Sequence, residues 1–256
     1  MRAILLVLSF LSLSGASLFS QNMKPEEIIR RFVEKETEFS KVWQQYTYTQ
    51  RILFEVLDEG GNSRERQEIW VEVYFTRDGR RQTRTIRDQG RLRSVGVTEE
   101  DLDDAIHRQP FVLTTGELDD YEIRYRGEEQ VDELYTYVFD IEPRRLEKDK
   151  RYFEGRLWVD DVDHQIVKSE GKIVPDYSNN KFPKFETLRE QIDGEYWFPT
   201  WTEADDVLEF GGGFGRDRRR VHIRQLITYE DFKKFEVGTS IQYEPLENSE
   251  DSENPE

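Results

Sequence analysis

Residues 185–202 read FETLREQIDGEYWFPTWT, and this stretch decides the fold class. Two runs with strand-type side chains, residues 185–192 and 195–202, flank the dipeptide Asp193-Gly194, which is the strongest short-range signal for a β-hairpin. Strands joined by a hairpin are antiparallel. The stretch therefore predicts an antiparallel sheet built from successive hairpins.

The same pattern extends over most of the chain. Apolar residues alternate with polar ones along several segments, and turn-forming residues separate those segments at 59–63, 77–80 and 160–163. We count about ten strands in this way. The alternating apolar sets include Tyr46, Tyr48, Ile52, Phe54 and Val56; Ile69, Val71, Val73 and Phe75; and Tyr135, Tyr137, Phe139 and Ile141.

A helix is predicted ahead of the first strand. Pro25 suits the first helical position, and Glu26 and Glu27 suit the positive end of the helix dipole. The apolar residues that follow recur at helical spacing and form one stripe, so the helix must pack on another layer. That stripe consists of Ile28, Ile29, Phe32, Val33, Phe39, Val42 and Trp43. One helix followed by many strands predicts an α+β fold, with a curved antiparallel sheet wrapped around the helix.

Residues 95–118 interrupt the strands. Thr98 can cap a short helix, with Asp101 completing a capping box, and Pro110 ends that helix. We interpret the segment as an insertion between strands and as a possible lid, although a passive surface loop has the same pattern. The apolar residues expected to rest on the sheet or in its mouth are Leu102, Ile106, Phe111 and Leu113.

Composition restricts the function. The 256 residues carry a net charge of -17, and this acidity disfavours a nucleic-acid partner. The 5 Trp, 12 Tyr and 16 Phe exclude a disordered chain. The length predicts a single domain, which we place at residues 21–243. The acidic residues 244–256 are predicted to be a disordered tail.

The N-terminus predicts export. One positive charge at Arg2 precedes an apolar run and then small residues, so residues 1–20 are predicted to be a signal peptide that is cleaved to leave a soluble protein beginning between residues 17 and 23. The sequence contains no cysteine, which excludes a lipoprotein signal and disulfide bonds. We expect the periplasm of a Gram-negative bacterium.

No pattern predicts catalysis, a metal site or a cofactor. The three histidines, His107, His164 and His222, fall in unrelated elements. The acidic turn at 160–163 lacks the length of an EF-hand loop, and the glycine-rich residues 211–215 precede a strand instead of a phosphate-binding helix. The acidic pair Glu186 and Glu190 is expected by chance among 54 acidic residues. We therefore expect a protein that is not an enzyme.

Two features favour binding. The apolar strand faces opposite one helix predict either a filled core or an apolar cavity for acyl chains; the wall candidates are Phe54, Val73, Phe139, Trp158 and Phe198. A basic stretch predicts either a solvated, internally ion-paired sheet face or a docking surface for an acidic partner or an anionic lipid headgroup. The docking candidates are Arg80, Arg81, Arg84 and Arg87.

The second half of the chain resembles a known family. Residues 155–160 read GRLWVD, 165–171 read QIVKSEG, 193–199 read DGEYWFP and 229–235 read YEDFKKF. These strands resemble the periplasmic outer-membrane lipoprotein-sorting proteins of the LolA-like superfamily, in strand order over residues 46–235. The resemblance implies an incomplete antiparallel half-barrel covered by helices, with no catalytic residue.

The resemblance also implies a function. We expect a periplasmic carrier or binding protein that shelters lipoprotein acyl chains or another lipid between sheet and helix, for transfer toward the outer membrane. Its partners would be that ligand, an inner-membrane donor and an outer-membrane acceptor, and a monomer is favoured. The alternative is a non-catalytic envelope interaction or stress-sensing module of the same fold. A third alternative is an enzyme that acts on envelope glycans.

Overall fold

A computed structural model describes residues 23–76, 78–148, 150–176, 183–210 and 219–235. The predicted signal peptide, the glycine-rich residues 211–215 and the acidic tail lie outside the described residues. Among the described residues, none of the helices combines the length and apolar character that crossing a membrane requires.

Helix α1 spans Pro25–Trp43, as predicted. Pro25 lies at its start, Glu26 and Glu27 occupy its first turn, and Lys41 lies in its last turn, where each charge complements the helix dipole. Four residues of the predicted stripe are buried, and the other three, Ile29, Val42 and Trp43, are half-buried. The carboxylate of Glu36 is buried among them.

Ten antiparallel strands of the described residues form one open sheet, which confirms the predicted α+β half-barrel. The sheet order is β3-β2-β1-β10-β9-β8-β7-β6-β5-β4. Adjacent strands are therefore consecutive in sequence except β1 and β10, and β3 and β4 form the two edges. The bounds are β1 Tyr46–Leu57, β2 Ser63–Phe75, β3 Arg81–Gly90, β4 Tyr121–Val131, β5 Leu134–Pro143, β6 Tyr152–Asp160, β7 Ile166–Val174, β8 Phe185–Gln191, β9 Trp197–Phe210 and β10 Arg219–Lys234.

The hairpin at residues 185–202 is present, but its loop is longer than the two residues predicted. Gln191 is paired with Trp197, so five residues connect β8 to β9. The Asp193 carboxylate accepts the backbone N–H groups of Glu195 and Tyr196, both at 3.0 Å. It also accepts the Tyr46 hydroxyl at 3.0 Å. These bonds satisfy the loop backbone without a tight two-residue turn.

The connection between β3 and β4, residues 91–120, contains the predicted insertion, and we call it the insert. Its helix α2 spans Glu99–Asp103, with the predicted capping box between Thr98 and Asp101. A π-helical turn, Asp104–Arg108, extends α2, and a 3₁₀ turn, Leu118–Asp120, leads into β4. The structure describes the whole insert, which contains helical turns and loops but no strand.

Candidate functional site

The interior of the half-barrel has two halves with different covers. Helix α1 lies over strands β4 to β9, where its Ile28, Phe32 and Val33 pack on the sheet. The insert lies over β1, β2, β9 and β10, where Ala105 is buried and Leu102 and Ile106 are half-buried against the sheet. The two covers are built differently, because one is a regular helix of 19 residues and the other is made of short turns.

Aromatic side chains pack between the sheet and its covers. The rings of Phe32 and Phe139 lie 5.4 Å apart across the helix half. The rings of Phe111 and Phe153 stack at 4.4 Å where the insert reaches that half. Both covers therefore contact the sheet through buried apolar side chains.

Four of the five predicted wall residues lie in the interior. Phe54 and Val73 lie beneath the insert. Phe139 lies beneath α1. Phe198 lies beneath the end of α1, with its ring 5.2 Å from that of Phe39.

The prediction for Trp158 needs correction. Its cross-strand partner is Val138, whereas Phe139 is paired with Leu157. Because neighbouring residues on a strand point to opposite faces, Trp158 lies on the outer face, where it packs with Val138 and Val167. Every residue of β6 from Leu157 to Asp160 is buried, so this strand offers no alternation from which to assign a face.

All four predicted lid residues contact the interior. Leu102 and Ile106 pack in the half beneath the insert. Phe111 and Leu113 pack in the helix half, and Leu113 is fully buried. The insert therefore crosses from one half of the interior to the other.

An ion pair holds the insert at its π-helical turn. Arg151 donates to the Asp104 carboxylate at 2.7 Å, and both side chains are almost fully buried. Burial raises the pKa of Asp104 to about 6, although Arg151 and Arg108 oppose the rise. The pair links the insert to the start of β6.

A second buried ion pair holds the insert near Phe111. Arg189 of β8 meets the Glu36 carboxylate of α1 through two contacts of 2.9 and 3.0 Å. The same guanidinium donates to the backbone carbonyl of Phe111. Burial raises the pKa of Glu36, and the Arg189 charge opposes that rise. One arginine thus connects helix, sheet and insert.

Neutral hydrogen bonds between buried side chains also attach the insert to the sheet. The side-chain amides of Gln109 and Gln225 pair, with N to O distances of 3.3 and 3.1 Å. Thr187 donates to the Gln109 carbonyl at 3.2 Å, and Gln50 donates to the Ala105 carbonyl at 3.4 Å. All four side chains are buried.

These polar residues were not predicted, although the sequence contains a signal for them. Glu36 lies four residues after Phe32 and three before Phe39, which places it on the apolar stripe of α1. Gln50 and Gln225 lie between apolar residues in the inward-facing alternation of β1 and β10. A polar residue in an otherwise apolar set predicts a buried hydrogen bond.

The predicted arginine patch is divided between the two faces of the sheet. Arg81 points inward and donates to the Tyr48 hydroxyl at 3.0 Å. Arg84 pairs with Glu72 at 2.5 Å, and Arg87 lies 5.4 Å from the Trp70 ring on the outer face. Arg80 pairs with Asp78 in the turn before β3. This arrangement favours the internally paired sheet face over a single docking surface.

Titratable groups elsewhere do not assemble into a metal centre within the described residues. The imidazole of His107 lies in the π-helical turn, and burial lowers its pKa. His222 contacts Asp205 on the sheet. His164 adopts a left-handed backbone conformation (φ 58°) in the β6–β7 turn.

Comparisons with known proteins identify similar solved structures but no relative by sequence. No protein-family model and no curated protein matches the chain. A putative outer membrane lipoprotein-sorting protein domain from Vibrio parahaemolyticus has 11% identity and a TM-score of 0.41, over 84% of this chain and 93% of that one. A DUF1329 family protein from Desulfovibrio piger has 14% identity and a TM-score of 0.36, over 82% and 95%.

A LolA superfamily protein from Nitrosomonas europaea has 12% identity and a TM-score of 0.34, over 84% of this chain and 94% of that one. Identities at this level bear on the fold alone. With TM-scores below 0.5, none of these similarities assigns the chain to a family or a function.

Proposed function

We propose that this protein is a non-catalytic carrier or binding protein that shelters the acyl chains of a lipoprotein or another lipid. The ligand enters the half of the interior beneath the insert when the insert lifts. The protein acts in the periplasm after removal of residues 1–20. Transfer requires a sheltered apolar surface and a way to open it, and it requires no covalent chemistry.

The construction of the insert carries this proposal. Each strand of the sheet is held to its neighbours by a ladder of backbone hydrogen bonds, and breaking a ladder disrupts many bonds at once. The insert has no strand, and mainly side-chain contacts, in place of a ladder of backbone hydrogen bonds, attach it to the sheet and to α1. Segments with few backbone pairings open locally at a lower free energy than the sheet that carries them.

Lifting the insert would expose a surface that is largely apolar. Leu102, Ala105 and Ile106 now cover the strand residues of this half. An acyl chain has the same chemical character as the side chains it would replace, so its burial restores the lost apolar contact. We assign Phe54 and Val73 to the first part of the wall, and Phe139 and Phe198 to its continuation beneath α1.

The test measures binding of a fluorescent acyl probe to a variant with a weakened lid. Leu102→Ala removes part of the contact between α2 and the sheet. If the closed lid competes with the ligand, a larger open fraction raises the apparent affinity in proportion. We expect an increase of about threefold to tenfold, since truncating a half-buried leucine costs about 1 kcal/mol or more.

Leu134→Ala is the matched control, because Leu134 is also a half-buried leucine but packs with Trp158 on the outer face. Its affinity for the probe should equal that of the wild type. Absence of probe binding, together with absence of co-purified lipid in native mass spectrometry, would reject the carrier. Binding that is unchanged by Leu102→Ala would reject the insert as its lid.

A further inference from the structure

A row of polar side chains crosses the apolar interior beneath the insert. It consists of Gln50 on β1, Tyr229 on β10, Thr202 on β9 and Thr187 on β8, and all four are at most 5% exposed. These strands are neighbours in the sheet. Gln225 lies beside the row on β10 and is also buried. We call these five residues the polar row.

The hydroxyl groups of the polar row form a directed chain. Thr187 donates its one proton to the Gln109 carbonyl, which can only accept. Thr202, 2.8 Å away, must then donate to Thr187. Tyr229, 3.4 Å from Thr202, must donate to Thr202 in turn. The chain therefore ends in a donor aimed at a carbonyl of the insert.

A second donor of the polar row has the same type of partner. The Gln50 amide donates to the Ala105 carbonyl, which also belongs to the insert. The other end of that amide, the Gln50 side-chain oxygen, is buried without a hydrogen-bond partner among the described residues. Two backbone carbonyls of the insert thus satisfy two buried donors of the sheet.

Opening the insert removes both carbonyls and also the Gln109 amide that pairs with Gln225. A ligand made only of hydrocarbon would cover these groups without pairing them, and an unpaired buried polar group is strongly unfavourable. A carbonyl oxygen of the ligand would replace those of the insert. Sites that hydrogen-bond a ligand group discriminate strongly against analogues that lack it.

We propose that the polar row recognises the ester or amide carbonyls that join acyl chains to their parent molecule. This inference rests on the proposed function and narrows its ligand to acylated molecules, as opposed to hydrocarbons, ethers or isoprenoids. The shared chemistry is found both in phospholipid esters and in acylated peptides.

The experiment compares probes that differ by the carbonyl alone. One pair is 1-palmitoyl and 1-O-hexadecyl lysophosphatidylcholine. The second is a peptide with an O-palmitoyl serine and the same peptide with an O-hexadecyl serine, so that neither pair differs in charge. Competition against a fluorescent acyl probe gives the four affinities. We expect each acyl form to bind at least about tenfold more tightly than its alkyl form, which corresponds to about 1.4 kcal/mol. The affinities of the two acyl probes are then compared: tighter binding of the lysophospholipid indicates a lipid ligand, and tighter binding of the peptide indicates an acylated peptide.

Thr187→Val removes the terminal donor of the chain and nearly preserves its shape. This change also weakens the attachment of the insert, so the affinities for the acyl and the alkyl probe can both rise. The ratio of the two affinities is independent of lid opening. We expect the acyl-to-alkyl preference to fall to about twofold or less. Thr136→Val is the matched control, because Thr136 is an equally buried threonine that donates to a backbone carbonyl, that of Glu129, in the β4–β5 hairpin.

The outcomes separate the two proposals. Tight binding of acyl and alkyl forms with equal affinity would overturn the polar-row inference and leave the carrier intact. A preference that survives in both Thr187→Val and Gln225→Leu would also overturn it, because recognition would then lie elsewhere. Failure of all four probes to bind would overturn the carrier and the inference together.

Discussion

Removing one charge of the Glu36–Arg189 pair should destabilise the protein far more than removing both. The pair is suited to a double-mutant cycle, in which Glu36→Met, Arg189→Met and the double variant are compared with the wild type. Methionine fills part of the volume of either side chain and adapts to irregular packing. The cycle isolates the interaction between the two charges.

The structure sets the magnitude. Glu36 is 0% exposed and Arg189 is 5% exposed, and the two groups meet through two short contacts. Loss of one partner from such a pair costs about 3–5 kcal/mol, because the remaining charge stays buried without compensation. Loss of both also removes the desolvation penalty, so the double variant should lie within about 2 kcal/mol of the wild type. The coupling should therefore exceed about 3 kcal/mol.

The two single variants should differ in their pH dependence. In Arg189→Met the remaining group is a carboxyl, whose pKa burial already raises in the wild type. A raised pKa in the folded state means that the folded state binds the proton more tightly, so stability is greater at low pH and falls as pH rises. Arg189→Met should accordingly be less damaging at pH 5 than at pH 8. Glu36→Met leaves a guanidinium that does not titrate in this range.

Urea denaturation of the mature chain at pH 5 and pH 8 measures these free energies. Hydrogen exchange on the double variant adds a second readout, because loss of Arg189 removes the donor to the Phe111 carbonyl. Exchange of residues 109–115 should rise while overall stability stays near that of the wild type. A loss below about 1 kcal/mol in Glu36→Met, or a double variant as unstable as the sum of the singles, would refute the buried pair as the link between helix, sheet and insert.

Two further predictions concern packing and pH. Gly171→Ala should lower the free energy of unfolding, measured by urea denaturation, by about 1–3 kcal/mol. The Cβ of the new alanine would lie 2.3 Å from the Glu154 carbonyl oxygen. Gly96→Ala is the control and should be neutral, because the space around Gly96 is open. Burial raises the pKa of Asp104 from 3.8 to about 6, so docking of the insert takes up a proton, is favoured below about pH 4 and weakens as pH rises through about 6. Hydrogen exchange measures the opening constant of the insert. From pH 4.5 to 7, the opening constant of the wild type should rise by about tenfold or more relative to that of Asp104→Asn, a comparison that cancels the opposite contribution of His107. A ratio of the two opening constants that does not change with pH would contradict this prediction.

Much of the fold could be predicted from the sequence because both periodicities are strong. The apolar stripe after Pro25 and the alternation in β1 and β2 each indicate which face of the element is buried. The loop at Asp193 was predicted too short, since its carboxylate satisfies the backbone of a longer loop. Trp158 was placed on the wrong face because β6 is buried on both sides.

The polar attachments of the insert were beyond sequence reasoning for a different reason. Gln109 and Gln225 are separated by 116 residues in the sequence, and Glu36 and Arg189 are separated by 153. Nothing local in either segment specifies its partner. Periodicity shows that a polar residue occupies an inward position, but only the strand register and the path of the insert show which group it meets.

The choice of polar residues beneath the insert has a physical logic. An interior built only for stability would place apolar side chains at these positions, since buried ion pairs are often no more stabilising than well-packed hydrophobic residues. Apolar contacts, however, do not depend on direction and would hold the insert in several registers. Hydrogen bonds from Gln50 and Thr187 to single carbonyls accept one register only. Both donors lose their partners together when the insert moves. A ligand that supplies carbonyls can then replace the insert at little net free-energy change. Opening without such a ligand leaves the donors unpaired. Under the carrier proposal, the same groups keep the empty protein closed and select the ligand that opens it.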